Sequence, residues 1–297
     1  DFHGKNRWLS VPEIIVYSSN IGAAKMAADV GTKVQREYLA RFGLLRRAAL
    51  ELPEVGKPLT PTRWREINTL TIAYGHGIAV SPLQLASGIG ALVNGGLYVP
   101  PTLLKQTDEN RTRGKRILAA ETSDQMRDLM RLVVRHGTGR KAAAEGYNVG
   151  GKTGTADKLA GRGYAKGATI SSFVGAFPIN APRYVVLVLV DEPKGNKRTF
   201  NYATGGWVAA PAVGRIVQRM ATLIGMPPNR QPPGESQGRA ILEKRPLAPV
   251  PAQNRVERVS ANAEVQMLER VRAVLAAPPK TSGAVASGPP EQALAAN

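Results

Sequence analysis

The sequence predicts a mixed α/β fold of the α+β type, in which helices flank an antiparallel sheet and a helical subdomain precedes it. Helix signals dominate the first half of the chain, and three strand-like segments follow one another over 148–156, 169–177 and 184–191. Strands that are joined by short links favour antiparallel pairing. With 297 residues, of which 43% are hydrophobic, the chain is long enough to bury the core of one large domain or two smaller ones.

The helices are predicted from their start signals and from apolar spacing. Ser10 followed by Pro12 has the pattern of a helix start. Ser81 as N-cap and Pro82 at the first helical position predict another helix, which we expect to end at the glycine pair 95–96. The other predicted helices cover residues 20–29, 33–41, 122–135 and 206–224.

Two further segments have strand-like patterns. Residues 67–74 are rich in β-branched and apolar side chains, which favours a strand. Residues 184–190 are apolar on both alternating faces, which is typical of a strand that is covered on both sides. We therefore expect 184–190 to form a central strand of the sheet.

The composition changes near residue 226. Residues 227–297 hold half of the 22 prolines and no aromatic residue, so we predict a packed domain over 1–226 and a disordered Pro/Ala-rich tail over 227–297. Within the tail, apolar residues recur at helical spacing over 262–277. That stretch is predicted to be either a partner-binding helix or a transient helix without a partner.

Composition excludes several kinds of chemistry. The chain has no cysteine, which excludes disulfides, thiolate catalysis and cysteine metal sites, and its three histidines are dispersed. The net charge of +18 indicates an anionic partner, which could be a nucleic acid, an anionic surface or an anionic substrate. No run of about 18 apolar residues marks a transmembrane helix. The chain begins with Asp rather than Met, and we expect it to start within a longer protein.

The segment Lys152-Thr153-Gly154-Thr155 is a candidate binding site for an anion. Because side chains alternate along a strand, Thr153 and Thr155 point to one face, where two hydroxyls could hold a carboxylate. Lys152 adds positive potential, and Gly154 lets a substrate backbone approach the strand edge. The outward N–H of Thr155 could serve as an oxyanion donor. An ordinary glycine-rich turn explains the same residues about as well.

A second candidate segment is Ser18-Ser19-Asn20, which lies between two predicted helices. Ser and Asn are preferred helix N-caps, so capping alone is a sufficient explanation of this segment. If it faces the lysine-containing strand, however, the hydroxyl and the amide form a cleft with a proton relay and amide recognition. Such a cleft suits acyl transfer on a peptide that ends in a carboxylate.

Together the two segments resemble the motif set of penicillin-binding proteins, which includes a Ser-x-Asn and a Lys-Thr-Gly motif. The chain resembles the transpeptidase domain of class B penicillin-binding proteins, and among them the cell-division (septal) peptidoglycan transpeptidases. The resemblance implies a penicillin-binding/β-lactamase-like transpeptidase fold over residues 1–226. Further segments that resemble the family, in the same order, are 17–22, 74–86, 94–103, 172–175 and 188–193.

One family motif is missing. The family's nucleophile is the Ser of Ser-x-x-Lys, and no serine in the chain has a lysine three residues later. Because that motif precedes Ser-x-Asn in the family, we expect an N-terminal truncation that removed the nucleophile and a membrane anchor.

The resemblance also implies roles for the residues of both motifs. Ser18 would relay a proton, and Asn20 would form a hydrogen bond with the substrate amide. Ser19 lies between them as a spacer and is included among the substrate-binding residues. Lys152 tunes the field of the pocket. Thr153 and Thr155 hold the substrate carboxylate beside Gly154. No metal or organic cofactor is needed.

By the same resemblance, the expected ligands are peptidoglycan stem peptides and β-lactams. The expected partners are a septal glycosyltransferase and other division proteins. The expected location is the bacterial inner membrane, with a single-pass anchor and the catalytic domain in the periplasm.

Three other interpretations remain open at this point. One is a D,D-carboxypeptidase or β-lactamase, although the long segment between the two motifs argues against a β-lactamase. Another is a non-catalytic penicillin-binding-like scaffold. The third, a nucleic-acid binder, rests on the net charge alone, since no nucleic-acid-binding motif accompanies it. We expect no nucleic acid, because an anionic envelope polymer explains the charge better.

Overall fold

The structure is a computed structural model that describes residues 1, 4–107, 112–160 and 163–228. Its helices are α1 (Val11–Tyr17), α2 (Asn20–Val30), α3 (Thr32–Arg41), α4 (Glu66–Ile72), α5 (Pro82–Val93), α6 (Ala120–His136) and α7 (Ala209–Leu223). Its strands are β1 (Leu97–Tyr98), β2 (Lys115–Arg116), β3 (Gly150–Ala160), β4 (Gly163–Phe177) and β5 (Tyr184–Asp191). The predicted tail lies outside the described residues apart from 227 and 228, so the boundary at 226 and the helix over 262–277 stay predictions.

The main sheet confirms the predicted antiparallel pairing of the three late strands. Its order is β3-β4-β5, with Lys152 opposite Val174 and Thr155 opposite Ser171. The short strands β1 and β2 form a separate antiparallel pair. Since β3 lies at one edge of the described sheet, its outer side is the position from which an extended ligand could approach.

Helices cover both faces of this sheet. Along β4, Phe173 and Phe177 are fully buried and pack with apolar residues of α7, including Val213. Ala176, on the opposite face of β4, packs with Val93 of α5 and Met130 of α6. The domain is therefore built in three layers, with α7 on one side of the sheet and α5 and α6 on the other.

The prediction that 184–190 forms the central strand is wrong for the described sheet. β4 is central, and β5 lies at an edge with its side chains half-buried. β5 contacts α5 and α7, so its apolar pattern on both faces reflects helices above and below it. The pattern therefore predicted the covering layers correctly, but it carried no information on the order of strands within the sheet.

The predicted strand over 67–74 is a helix followed by a turn. Helix α4 has four consecutive buried residues, Thr69 to Ile72, and burial on every side resembles the pattern of a buried strand. The start of this helix is marked by Asn68, whose side-chain oxygen accepts the N–H of Arg65 at 2.8 Å. Because Arg65 is not one of the residues that commonly cap helices, the sequence carries no clear start signal for this helix.

The helix starts predicted from serine and proline are confirmed. Glu13 accepts a hydrogen bond from the N–H of Ser10 at 2.9 Å, and Gln84 accepts one from the N–H of Ser81 at 3.0 Å. These capping boxes fix the first turns of α1 and α5. Within the described ranges, no helix combines the length and the apolar character that crossing a bilayer requires.

Candidate active site

The site begins at a strained turn after α1. Ser18 adopts left-handed backbone angles, with φ 56° and ψ 50°, and its N–H donates to the carbonyls of Ile14 and Ile15. A non-glycine residue in this region costs about 1 kcal/mol or more, so it persists only where neighbouring contacts fix it. We call Ser18, Ser19 and Asn20 the turn side of the site.

The turn side meets strand β3 through one short hydrogen bond. The Nζ atom of Lys152 donates to the Ser18 hydroxyl at 2.6 Å and to the backbone carbonyl of Thr153 at 3.1 Å. The structure thus brings together two segments that are 134 residues apart in the sequence. Because Ser18 accepts from the ammonium, its own proton remains available to donate elsewhere. We call Lys152 to Thr155 the strand side.

Burial changes the acidity of this lysine. Desolvation lowers the pKa of Lys152 from 10.5 to about 8, because the charged form loses favourable hydration. With a pKa of about 8, most of the lysine is charged at pH 7 and supplies positive potential to the pocket, while a minor fraction is neutral. Lys152 can therefore act both as a charge and as a proton-exchange partner of Ser18.

Ser19 and Asn20 are held by capping interactions. The buried hydroxyl of Ser19 accepts the N–H of Gly22 at 3.1 Å and donates to the Asp1 carboxylate at 2.7 Å. The same carboxylate accepts the N–H of Asn20 at 2.6 Å and the N–H of Ile21 at 3.1 Å. The Ser19 hydroxyl is thus engaged at the N-terminus of α2, and its predicted place among the substrate-binding residues stays a prediction.

Asn20 is brought to the turn but not into the lysine contact. Its side chain is exposed, and within the described part of the chain it makes no hydrogen bond to Ser18 or Lys152. An exposed amide at this point remains accessible to a ligand. Its predicted role in binding a substrate amide stays a prediction.

The strand side presents a row of hydroxyls. The hydroxyl of Thr153 lies 2.8 Å from that of Thr138, which follows the C-terminus of α6. The hydroxyl of Thr155 accepts the N–H of Gly205 at 3.0 Å. These two threonines occupy alternate positions of β3, as the predicted carboxylate-binding pair requires.

Glycines allow the backbones around the strand side to approach closely. A Cβ atom on Gly154 would lie 2.6 Å from the Ser172 hydroxyl, and one on Gly206 would lie 2.6 Å from the carbonyl oxygen of Thr138. A Cβ on Gly205 would clash with the carbonyl oxygens of Ser172 and Gly154. The backbones thus leave no room for a side chain at Gly205 or Gly206, whereas the Ser172 hydroxyl beside Gly154 can rotate away.

The arrangement suits the binding of an anionic group beside a proton relay. A half-buried ammonium, a serine hydroxyl and threonine hydroxyls converge near the edge of β3 that has no partner strand within the described residues. In the described ranges, no group of three or more His, Asp or Glu side chains forms a metal-binding cluster. The serine and threonine hydroxyls, with the lysine, are the groups that chemistry at this site would use.

Sequence reasoning missed four residues of the site. Asp1 is 18 positions from its partner Ser19, and no local pattern links them. Thr138 stands between Gly137 and Gly139 directly after an amphipathic helix, a spacing that could have marked a tight turn. The pair Gly205-Gly206 could have indicated close backbone approach.

Comparison with known proteins defines the class of protein to which the chain belongs. Residues 2–218 match the penicillin binding protein transpeptidase domain. The chain therefore belongs to the penicillin-binding protein transpeptidase family, and its fold is the penicillin-binding/β-lactamase-like fold of that family.

Two curated relatives and two solved structures illustrate the similarity. The chain is 42% identical over 235 residues to the probable peptidoglycan D,D-transpeptidase FtsI of Caulobacter vibrioides, a match that covers 76% of this chain and 40% of that protein. It is 34% identical over 242 residues to the stage V sporulation protein D of Bacillus subtilis, a match that covers 77% of this chain and 36% of that protein. The chain thus matches about two fifths of the length of these relatives.

Two solved structures of penicillin-binding proteins are similar to the chain. The apo transpeptidase domain of penicillin-binding protein 3 from Burkholderia pseudomallei has a TM-score of 0.68 and 36% identity, covering 75% of this chain and 67% of that one. Penicillin-binding protein 3 from Mycobacterium tuberculosis in complex with ampicillin has a TM-score of 0.67 and 27% identity, covering 76% of this chain and 53% of that one.

Proposed function

We propose that this chain is the larger part of the catalytic domain of a peptidoglycan D,D-transpeptidase that cross-links stem peptides during septal wall synthesis. The observation that carries the proposal is the 2.6 Å hydrogen bond from Lys152 to Ser18, formed beside the threonine hydroxyls of β3. A relay group and an anion-binding strand are the parts that acyl transfer to a carboxylate-terminated peptide needs. Membership of the transpeptidase family supports the same conclusion.

In the proposed reaction, a serine contributed from outside these 297 residues attacks the carbonyl of the penultimate D-alanine. Its oxygen bonds to the carbonyl carbon, the amide C–N bond breaks, and the terminal D-alanine leaves as an amine that has gained a proton. An amine of a neighbouring stem peptide then attacks the ester, and the serine regains its proton. Ser18 is the proposed carrier of the proton between the serine and these amines.

The other residues bind the acyl donor. Thr153 and Thr155 hold its terminal carboxylate, Asn20 bonds its amide, and Gly154 allows its backbone to pair with the edge of β3. The N–H of Thr155 serves the oxyanion that forms at the attacked carbonyl. The positive charge of Lys152 stabilises negative charge on a ligand in the pocket. Its hydrogen bond keeps the Ser18 hydroxyl oriented.

The family is the basis for the proposed location and partners. We propose that the domain lies in the periplasm and is anchored in the inner membrane by a single N-terminal helix of the whole protein. There it acts with a septal glycosyltransferase and other division proteins. β-Lactams are its proposed inhibitors, and the relative that was solved with ampicillin supports this.

Labelling with a fluorescent penicillin tests the proposal. We expect the 297-residue chain alone to stay unlabelled, and a longer natural polypeptide that supplies Ser-x-x-Lys to be labelled covalently. The same polypeptide with that serine changed to alanine is the control. A longer polypeptide that carries the motif and is never acylated would contradict the transpeptidase proposal and favour a scaffold.

Product analysis separates transpeptidation from hydrolysis. With a stem-peptide donor and a D-amino acid as acceptor, mass spectrometry should detect the exchanged peptide. Release of D-alanine without any exchange product would instead identify a D,D-carboxypeptidase.

A further inference from the structure

We propose that Thr138 is a further carboxylate-binding residue of this site, acting together with Thr153. Neither of the two motifs includes it, and the proposal rests on the proposed function, since it names how the substrate carboxylate is held. The observation behind it is the 2.8 Å contact between the hydroxyls of Thr138 and Thr153.

The backbone of Thr138 is fixed by two helices. Its N–H donates to the carbonyl of Val16 in α1 at 3.3 Å, and the N–H of Gly139 donates to Val133 in α6 at 3.1 Å. A Cβ atom on Gly137 would clash with the carbonyl of Val16, so the turn packs directly against the end of α1. Thr138 is therefore held near the turn side as well as the strand side.

The side chain of Thr138 is exposed, unlike the core residues that precede it in α6. A hydroxyl whose only task was to complete the core would be buried and fully bonded. Here the hydroxyl meets Thr153 at the mouth of the site and keeps contact with solvent. Its position is that of a group that a ligand can reach.

Counting protons shows what the hydroxyls can offer an anion. Thr138 and Thr153 together have two hydroxyl protons, and the contact between them uses one. The second proton is free to point outward. Thr155 accepts the N–H of Gly205, so its own proton is free as well. The three hydroxyls thus present two outward donors, which matches the two oxygens of one carboxylate.

Removing Thr138 would leave two outward donors, those of Thr153 and Thr155, but would change how the Thr153 hydroxyl is held. Without its hydroxyl, Thr153 keeps one proton but loses the partner that polarises it and limits its rotation. A hydrogen bond to a charged acceptor that is donated from within a hydrogen-bonded chain is stronger than an isolated one. The loss should therefore weaken the binding of a carboxylate and leave a ligand without a carboxylate unaffected.

The test compares acylation of the longer, serine-containing polypeptide by benzylpenicillin and by its methyl ester, which has no carboxylate. For Thr138→Val, which keeps the shape but loses the hydroxyl, we expect the second-order acylation rate with benzylpenicillin to fall about tenfold or more. The rate with the methyl ester should change less than about twofold, because that ligand lacks the charged acceptor. Thr138→Ser should restore most of the rate with benzylpenicillin.

Thr222→Val is the matched control, because Thr222 is an exposed threonine of α7 whose hydroxyl donates to Gln218. It should leave both rates unchanged. Equal loss of both rates in Thr138→Val, or no loss in either, would overturn the proposal. A parent polypeptide that neither penicillin acylates would contradict the proposed function itself, so the two failures are distinguishable.

Discussion

The turn side and the strand side of the site are held in different ways. The turn side depends on hydrogen bonds, in which the Asp1 carboxylate and the Ser19 hydroxyl cap the first turn of α2. The strand side depends on close approach of backbones, and Gly205 and Gly206 stand where a Cβ atom would clash with a backbone carbonyl. Hydrogen bonds at an exposed turn can be exchanged for water, whereas a backbone clash has no such substitute. We therefore expect the strand side to tolerate less change.

The largest effect is expected for Gly205→Ala. The new methyl group would clash with the carbonyl oxygens of Ser172 and Gly154, which separates the 205 turn from β3. We predict a loss of stability of about 3 kcal/mol and loss of penicillin acylation in the longer polypeptide. Urea unfolding and fluorescent-penicillin labelling measure the two effects.

Gly90→Ala is the matched control. A Cβ atom at Gly90 in α5 would meet no atom within 4 Å, so this variant should gain up to about 1 kcal/mol from helix propensity. Equal stability of Gly205→Ala and Gly90→Ala would show that the strand side is not held by close packing.

The next effect is expected for Lys152→Met. Because burial lowers the folded-state pKa of Lys152 to about 8, holding the charge inside the fold destabilises the protein at neutral pH. Between pH 8 and the unfolded value of 10.5, the unfolded chain holds a proton that the folded chain has released, so stability rises with pH.

The stability of the parent relative to Lys152→Met should therefore rise by roughly 3 kcal/mol from pH 7 to pH 10.5. Urea unfolding of both proteins at the two pH values measures the difference, and Lys25→Met serves as a surface control. A difference that is independent of pH would mean that the pKa of Lys152 is not lowered. Acylation should be lost in Lys152→Met at every pH.

A smaller effect is expected on the turn side for Asp1→Ala. This variant removes the acceptor of the N–H groups of Asn20 and Ile21, while the Ser19 cap remains. Water can satisfy these exposed groups, so the expected loss is about 1 kcal/mol. Amide hydrogen exchange should show faster opening at the start of α2 and no change in β3. Faster exchange in β3 would contradict the conclusion that the turn side and the strand side are held in different ways.

The smallest effect is expected at the far end of α1. Hydrogen bonding to Arg7, with further hydrogen bonds from Ser10, lowers the pKa of Glu13 from 4.5 to about 2. Its contribution is thus present above pH 4.5 and is lost as the pH falls towards 2. Glu13→Gln should cost less than about 1 kcal/mol at pH 7, since the Arg7 side chain is half exposed and solvent screens the pair.

Thermal unfolding of the parent and of Glu13→Gln at pH 7 and pH 3 measures the contribution of Glu13 to stability. The gap in stability between the two proteins should be smaller at pH 3 than at pH 7. A larger gap at pH 3 than at pH 7 would contradict the assignment.

Local signals in the sequence predicted most of the helices and both motif segments. Ser10 and Ser81 with their prolines marked helix starts because capping is a short-range interaction. The strand pattern of 184–191 was likewise recognisable from a few consecutive residues. The helix over 66–72 was missed, since burial on all sides gives helix and strand the same apolar pattern.

The parts of the site that escaped prediction are contacts between distant residues. Asp1 reaches Ser19, and Thr138 reaches Thr153, through turns whose course no short window of sequence determines. The motif residues Ser18 and Lys152 were expected to face one another only through the resemblance to a family. Their hydrogen bond gives that expectation a physical basis.

The separation of Ser18 and Lys152 has a consequence for folding. Their contact closes a loop of 134 residues, and the entropy of that closure has to be offset before the contact contributes anything. The capped helices can form early and locally, whereas the pocket requires the sheet and the end of α1 to dock. A partly folded chain, in which the helices have formed but the sheet has not docked, would thus have nearly native helix content and would not retain a ligand. Recovery of ligand retention during refolding would mark the final docking step, after circular dichroism has already reached its native value.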